Sequence, residues 1–418
     1  MLAGEIIKFH RQRAGLTQED LGKGICSVTH VSKIERGVTP YSSEIIQMFS
    51  ERLNLDIDQE INRFANLGER LQHWHKTIIM QNMKEAEKIK KELEGIPISL
   101  SSSHAAFYEL LLARLHLKKL ELEQAEGILI HIQNDYPNLQ AYEQNMLKHA
   151  WGIYYILRYR DSKAGNYHKA IEFLKDINME EYGNHEYYYH LAAAYYWTNS
   201  KIAAYAYANK ALVHFRETDN YIGAITAESL MLAQEGNDLQ ADFNELEKSY
   251  QRLIRNCDLL NLPNKKSLLL NNLGYEYWRR KEYRKAQTVL EEALGLVAKP
   301  SALYLQRLQN YLNACMEGKL LRKAVLLKRA REGMSMTKDL ENRFYKIIFK
   351  LLILRIEDQS EQYYRYIENE ALPYFLSISN AMFTNRFGKQ LYQYFVETKQ
   401  YEKAVQVSNI FIESIASE

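Results

Sequence analysis

From residue 61 to residue 418 the sequence repeats one pattern, two helix-length amphipathic segments separated by a short polar turn, with a loose period in the thirties. In the clearest unit, Leu270 and Gly274 fall on a first helix, and Ala286, Leu290 and Ala293 fall on a second. Small residues let two helices approach closely, and large residues fill the grooves between hairpins. One hairpin cannot bury its own apolar face, so the pattern predicts stacked hairpins with a concave inner surface. Similar offsets recur at Leu112, Ala113, Ala125 and Leu129, at Leu191, Ala192, Ala204 and Ala211, and at Leu391, Phe395, Tyr401 and Ala404.

The composition favours the same all-α fold class. Only 18 of the 418 residues are glycine and 6 are proline. Sandwiches, barrels and doubly wound sheets need many turn residues, so this scarcity favours helices with short connections. The longest apolar segment, residues 347–356, is interrupted by Lys350 and Arg355, so no membrane span is expected. Three cysteines without CxxC spacing fit a reducing cytoplasm and predict neither a disulfide framework nor a zinc site.

The first 60 residues follow a different plan, with five short helices separated by brief breaks. Thr17 precedes Gln-Glu-Asp and is a candidate N-cap, because its hydroxyl can accept a hydrogen bond from the first turn. Ser27 is a second N-cap candidate, and Gly37 stands where the helix after Ser27 would end. Ser42 or Ser43 opens a fourth helix. We therefore divide the chain into residues 1–60 and 61–418.

The segment from Leu16 to Gly37 resembles the repressor-type helix-turn-helix of phage and bacterial regulators. Leu21, Ile25, Val31 and Ile34 fall at the spacing that would lock its two helices together, with the opposite face free to enter a major groove. The resemblance implies that Gln18 holds a phosphate and that the following helix meets base edges. Thr and Val methyls suit thymine, and Lys or Arg suits guanine. The candidate DNA-binding residues are Gln18, Val28, Thr29, His30, Ser32, Lys33 and Arg36.

The charge balance of this segment leaves an alternative open. Residues 1–57 contain seven Lys or Arg and seven Asp or Glu, so the bulk positive charge that drives non-specific DNA binding is missing. One copy should bind DNA weakly, and a dimer that reads two half-sites is the expected corollary. The alternative is a bundle that has lost DNA binding and contacts protein instead.

The repeat region offers candidate residues for an extended peptide. Asparagine carries both a donor and an acceptor, so a row of asparagines can pair with a peptide backbone. Tyrosine and tryptophan would supply apolar pockets, and Arg279 could meet a carboxylate. The competing interpretation is that these residues only pack helices together. The candidate peptide-binding residues are Asn271, Asn272, Tyr275, Arg279, Asn310, Asn313, Tyr189, Tyr196 and Trp197.

The repeat offsets resemble those of tetratricopeptide repeats, which implies a right-handed superhelix. A repressor-type helix-turn-helix joined to such repeats resembles the peptide-sensing Rap–Rgg–NprR–PlcR–PrgX regulators, with the NprR type as the most similar branch. The stretch His185-Glu-Tyr-Tyr-Tyr-His-Leu191 and the segment Ala211–Tyr221 carry the second resemblance. The resemblance implies a cytoplasmic quorum-sensing regulator that binds an operator in double-stranded DNA and a short signalling peptide. It further implies a homodimer or higher homo-oligomer.

No feature of the sequence favours an enzyme or a bound cofactor. There is no phosphate-binding GxxxxGK[ST] loop, no nucleophile motif and no carboxylate pair that stands out. His73 and His75 fall on different faces of a helix, so no metal site is expected. The alternative function is a Rap-type interaction scaffold that binds and inhibits a response regulator, through helices that would lie near residues 62–95.

Overall fold

The computed structural model describes residues 2–39, 42–95, 104–158, 167–235, 242–378 and 380–416. No strand occurs among these residues, and the all-α prediction is confirmed. The chain forms two compact units, unit 1 (Met1–Ala150) and unit 2 (Trp151–Glu418). No described helix has the length and apolar character that a crossing of a lipid bilayer requires.

Unit 1 begins with a small five-helix bundle. Its core consists of buried aliphatic and aromatic side chains, among them Ile7, Leu21, Val31, Ile34 and Phe49. The described helices that begin in unit 1 are α1 (Leu2–Arg13), α2 (Gln18–Gly22), α3 (Val28–Glu35), α4 (Ser43–Leu53), α5 (Ile57–Ala65), α6 (Leu67–Ile79), α7 (Met83–Leu93), α8 (Ala105–Lys119), α9 (Leu122–Asp135) and α10 (Ala141–Leu157).

Unit 2 is built from helices that pack mainly against their neighbours in sequence, as stacked hairpins require. A short π-helical segment, Ile367–Ala371, separates α22 from α23. The described helices that begin in unit 2 are α11 (Tyr167–Lys175), α12 (Met179–Tyr182), α13 (Tyr187–Trp197), α14 (Lys201–Glu217), α15 (Tyr221–Glu235), α16 (Phe243–Leu259), α17 (Pro263–Arg279), α18 (Tyr283–Gly295), α19 (Ala302–Glu317), α20 (Lys323–Asp339), α21 (Arg343–Ile356), α22 (Ser360–Tyr366), α23 (Leu372–Ser377), α24 (Ala381–Glu397) and α25 (Tyr401–Ala416).

One turn geometry recurs between these helices. In the described part of unit 2, eight turns each place a residue other than glycine in the left-handed conformation, and in each the next residue donates its N–H to a carbonyl five positions back. This is the Schellman closure, which satisfies the last carbonyls of a helix. Corresponding turns at Lys281, Lys319, Asp358 and Lys399 are spaced by 38, 39 and 41 residues, at the upper end of the period that the sequence suggested and slightly beyond it. The eight turn residues are Asn199, Asp219, Asn261, Lys281, Lys319, Glu341, Asp358 and Lys399.

The small residues of the repeat lie where helices meet. Ala286 and Ala293 are fully buried, and a Cβ on Gly274 would lie 2.5 Å from Cγ of Leu290 on the facing helix. Helices α17 and α18 can approach this closely because residue 274 has no side chain.

We expect Gly274→Val to lower the free energy of unfolding by about 2 kcal/mol, because the added methyl groups must displace Leu290. Denaturant unfolding followed by circular dichroism measures the change. Gly295→Val is the matched control on α18, since a Cβ there meets no atom within 4 Å, and its effect should stay within about 0.5 kcal/mol. Equal losses in the two variants would contradict the close approach.

Candidate recognition helix and ligand cavity

Helix α3 presents a mixed apolar and basic face to solvent. Its N-cap is Ser27, whose Oγ accepts the N–H of His30, and Thr17 caps α2 in a reciprocal arrangement with Asp20. Val31 and Ile34 point into the bundle core. Gly37, with φ of 66°, follows the end of the helix. Of the predicted DNA-binding side chains on and after α3, Val28, Thr29, Lys33 and Arg36 are exposed, and His30 and Ser32 are half-buried.

A buried ion pair fixes the end of α3 against α1. Arg11 donates from Nε to Glu35 Oε1 at 2.6 Å and from Nη2 to Oε2 at 3.1 Å, and its Nη1 donates to the Leu16 carbonyl. Both charged residues are buried. Gln18, predicted to hold a phosphate, donates its side-chain amide to Glu35 at 2.8 Å. Its side chain is therefore engaged within the protein.

Arg52 of α4 holds the C-terminal end of α2. Its Nη1 lies 3.1, 2.9 and 2.6 Å from the carbonyl oxygens of Asp20, Leu21 and Lys23. A guanidinium at this place satisfies carbonyls that have no partner within a short helix. The turn between α2 and α3 is thus held by a side chain that sequence inspection did not single out.

Unit 2 contains a cavity of about 490 Å³, a size typical of sites for small organic ligands. Helices from α13 to α24 supply its walls, and Lys201, Glu276 and Arg386 are its charged lining residues. Side-chain amides come from Asn199, Gln234, Asn271, Asn272, Gln306, Gln309, Asn310 and Asn380. Aromatic walls come from Tyr196, Trp197, Tyr250, Tyr275, Trp278, Phe344, Tyr345 and Phe383.

The structure brings six of the nine candidate peptide-binding residues to this cavity, namely Asn271, Asn272, Tyr275, Asn310, Tyr196 and Trp197. Asn313 lines an adjoining recess. Arg279 and Tyr189 are not among the lining residues. Arg279 lies 3.6 Å from Glu276, so a carboxylate of the protein already faces the arginine proposed to bind one. Burial raises the pKa of Tyr189 to about 12.

Two of the asparagines are partners of one another. Nδ2 of Asn310 donates to Oδ1 of Asn271 at 2.9 Å, which links α19 to α17. This bond leaves the Asn271 amide nitrogen and the Asn310 carbonyl oxygen for other partners. The pair can therefore hold the wall of the cavity together and still bind a ligand.

Glu276 is the buried carboxylate of the cavity. Burial raises its pKa, and the guanidinium groups of Arg280 and Arg279 partly offset the rise. Tyr196 lies in the same environment, where burial, with smaller contributions from Tyr275 and Glu276, raises its pKa to about 12. Glu276 and Tyr196 therefore lie in a part of the wall that is shielded from bulk water, where hydrogen bonds and charges count for more than they do at the surface.

Two buried polar atoms at the cavity have no hydrogen-bond partner among the described residues. They are Oη of Tyr250 and Nε2 of Gln234, both on lining residues. Buried polar groups are nearly always satisfied, since an unsatisfied one costs about 1–3 kcal/mol. Both atoms lie inside the wall, on residues that also line the cavity.

Sequence inspection missed the contribution of the last hairpins. Phe344, Tyr345, Phe383 and Arg386 line the cavity from α21 and α24, whereas all the peptide-binding residues predicted from the sequence lie on α13, α17 and α19. The repeat pattern could have indicated these residues, because equivalent positions of successive hairpins face the same side. Arg386 lies four residues after Met382 and three after Phe383, on the first helix of a hairpin. Trp278 lies three residues after Tyr275 on the first helix of its own hairpin, so each pair shares a helix face.

Comparison with known proteins agrees with both parts of the structure. A helix-turn-helix family model matches residues 7–59. The transcriptional activator NprA of Geobacillus stearothermophilus is 22% identical over 92% of this chain and 96% of its own length. A crystal structure of NprR in complex with its cognate peptide NprX superposes with a TM-score of 0.68 at 17% identity, covering 85% of this chain and 99% of NprR. The crystal structure of a Rap protein complexed with competence and sporulation factor superposes with a TM-score of 0.69 at 15% identity, covering 84% of this chain and 98% of the Rap chain.

A helix-turn-helix bundle followed by a helical-repeat superhelix defines the class of protein. Within that class, the motif match, the similarity to NprA along nearly the whole chain and the shared fold agree with the family that the sequence resembles. The chain is similar to a transcriptional activator along nearly its whole length and shares its fold with NprR and a Rap protein.

Proposed function

We propose that this chain is a cytoplasmic quorum-sensing transcription regulator whose binding to DNA is switched by a short signalling peptide held in the cavity of unit 2. Residues 1–60 form the DNA-binding domain, and residues 61–418 bind the peptide and form a homodimer or higher oligomer. The observation that carries the proposal is the cavity itself, in which backbone-pairing amides, aromatic walls and unsatisfied polar atoms come together.

The DNA-binding half of the proposal rests on the exposed face of α3. Thr29 and Lys33 are exposed and four residues apart, so they lie on one face of the helix. Val28 is 45% exposed, so its methyl groups are available for contact with a thymine methyl. Gln18 donates one N–H of its side-chain amide to Glu35, and the second N–H of the same amide remains to hold a phosphate.

We expect Lys33→Ala and Thr29→Ala each to weaken retention of a specific operator fragment about 5- to 100-fold, because each removes one base contact. A gel shift against genomic fragments measures the effect. Lys8→Ala is the matched control for charge, since Lys8 is exposed on α1 and is not among the predicted DNA-binding residues, and it should leave the sequence preference unchanged. Failure to retain any fragment at any salt concentration would favour the Rap-type scaffold, which the fold similarity to a Rap protein supports.

A thermal-shift screen against synthetic peptides of five to ten residues tests the receptor half. A ligand at 100 times its dissociation constant adds about 2.7 kcal/mol to the stability of the state that binds it. A rise in Tm that depends on peptide sequence supports the proposal. Scrambled peptides of the same composition serve as the control, and an equal rise with them would count against a specific receptor.

A further inference from the structure

A recess beside the cavity combines a cation with amide groups. Arg386, Asn310, Asn313, Tyr275 and Trp278 line it, and all of these except Asn313 also line the cavity, so the recess adjoins the cavity. The guanidinium carbon of Arg386 lies 6.0 Å from the ring centroid of Trp278 and 5.6 Å from that of Phe387. Aromatic faces stabilise a cation without neutralising its charge.

The carboxylates around Arg386 are already engaged. Glu276 is paired with Arg279 and Arg280. Glu317 accepts the indole N–H of Trp278 at 2.8 Å and lies 3.3 Å from Arg355. No carboxylate in the described part of the chain lies within ion-pair distance of Arg386, which is half-buried.

Asn313 gives an independent observation at the same place. It is only 8% exposed, it lines the recess, and its side-chain amide forms no hydrogen bond within the described residues. A carboxylate accepts several hydrogen bonds, and a guanidinium and an amide N–H₂ are the donors that suit it. A carboxylate in the recess would therefore satisfy both Arg386 and Asn313.

We propose that this recess is an anion site, and that the peptide ligand must carry a carboxylate that Arg386 and Asn313 bind. This inference rests on the proposed function and narrows it, because neutral peptides would leave a partly desolvated cation uncompensated. Arg386 thereby takes the role that the sequence suggested for Arg279. An Asp or Glu side chain and the C-terminal carboxylate are the two possible sources of the same group.

The test uses the full chain immobilised on a resin and a randomised pool of synthetic heptapeptides, prepared once with a free C-terminal carboxylate and once with a C-terminal carboxamide. Retained peptides are identified by mass spectrometry. Enrichment of Asp or Glu in both pools assigns a side-chain carboxylate, and retention from the free-acid pool alone assigns the C-terminus. Either result supports the anion site.

The best-retained peptide is then titrated against variants. We expect Arg386→Gln to weaken its binding about 10- to 100-fold, as loss of a charge-assisted hydrogen bond implies, with Arg386→Lys weakened less. Lys389→Gln changes the net charge equally on the same helix from an exposed position outside the cavity, and should stay within about twofold. Circular dichroism melts establish that each variant is folded.

Two outcomes would overturn the inference, and they differ. If the wild-type chain retains neutral peptides as well as anionic ones, or if Arg386→Gln and Lys389→Gln bind alike, the anion site is wrong and the peptide receptor stands. If the wild-type chain retains no peptide from either pool above a blank resin, the receptor and the anion site both fail.

Discussion

Replacing Arg11 by alanine should loosen the N-terminal bundle by about 3–5 kcal/mol. Arg11 and Glu35 are both buried and joined by two hydrogen bonds, and removing one partner of such a pair leaves an uncompensated charge in the interior. Glu35 lies at the end of α3, so the candidate recognition helix would lose its anchor to α1. Hydrogen exchange read by mass spectrometry on peptides from residues 2–39 measures this local opening, and the specific gel shift should be lost with it.

The controls separate charge from structure. Arg13→Ala removes an exposed arginine from the same helix and should leave exchange in α1 and α3 unchanged. The double variant Arg11→Met, Glu35→Leu should recover most of the lost protection, because apolar residues of similar volume often replace a buried pair at little cost. Normal protection in Arg11→Ala would show that the pair contributes no net stability.

Trp278→Ala should destabilise unit 2 by about 3 kcal/mol and abolish ligand-induced stabilisation. The indole packs against the unit 2 core, lies 5.3 Å from the Tyr275 ring, and donates its N–H to Glu317. Truncating a large aromatic residue in such a place removes both packing and a wall of the cavity. Denaturant unfolding and the peptide thermal shift report the two effects.

Trp278→Phe is the informative companion variant. It keeps most of the aromatic wall and the face beneath Arg386, and it loses only the hydrogen bond to Glu317, which retains Arg355. We expect a cost of about 1 kcal/mol and a measurable peptide response. A loss as large as that of the alanine variant would mean that the Trp278–Glu317 hydrogen bond, and not the ring, organises the wall.

The sequence was sufficient for the bundle because its signals are local. The caps Thr17, Ser27 and Ser42 all accept the hydrogen bonds that their positions predicted, and the apolar spacing of Val31 and Ile34 gave the inward face of α3. The sequence did not reveal the long-range side-chain contacts. The side chain of Glu35 meets Arg11 and Gln18 at separations of 24 and 17 residues, and no periodicity encodes such pairings.

The sequence predicted a concave surface with asparagine and aromatic side chains, but it identified only some of the residues that line the cavity. Asn271 and Tyr275 were identified because they lie on one face of one clear helix, and Asn272 because it lies beside that face. Asn310 was placed correctly by analogy between repeats. Arg386 was missed because its register relative to α17 depends on how many residues each turn and the π-helical segment contain.

The eight Schellman turns of unit 2 have a consequence for how its amino-acid sequence can change during evolution. A side chain in the left-handed conformation costs about 1 kcal/mol, and glycine would remove that cost but add about as much through its freer unfolded chain. The identity of the turn residue is therefore almost neutral for stability. The present set mixes lysine, glutamate, aspartate and asparagine. At these turns, unit 2 can change its surface charge, and so its choice of partners, while the helices that enclose its cavity stay as they are.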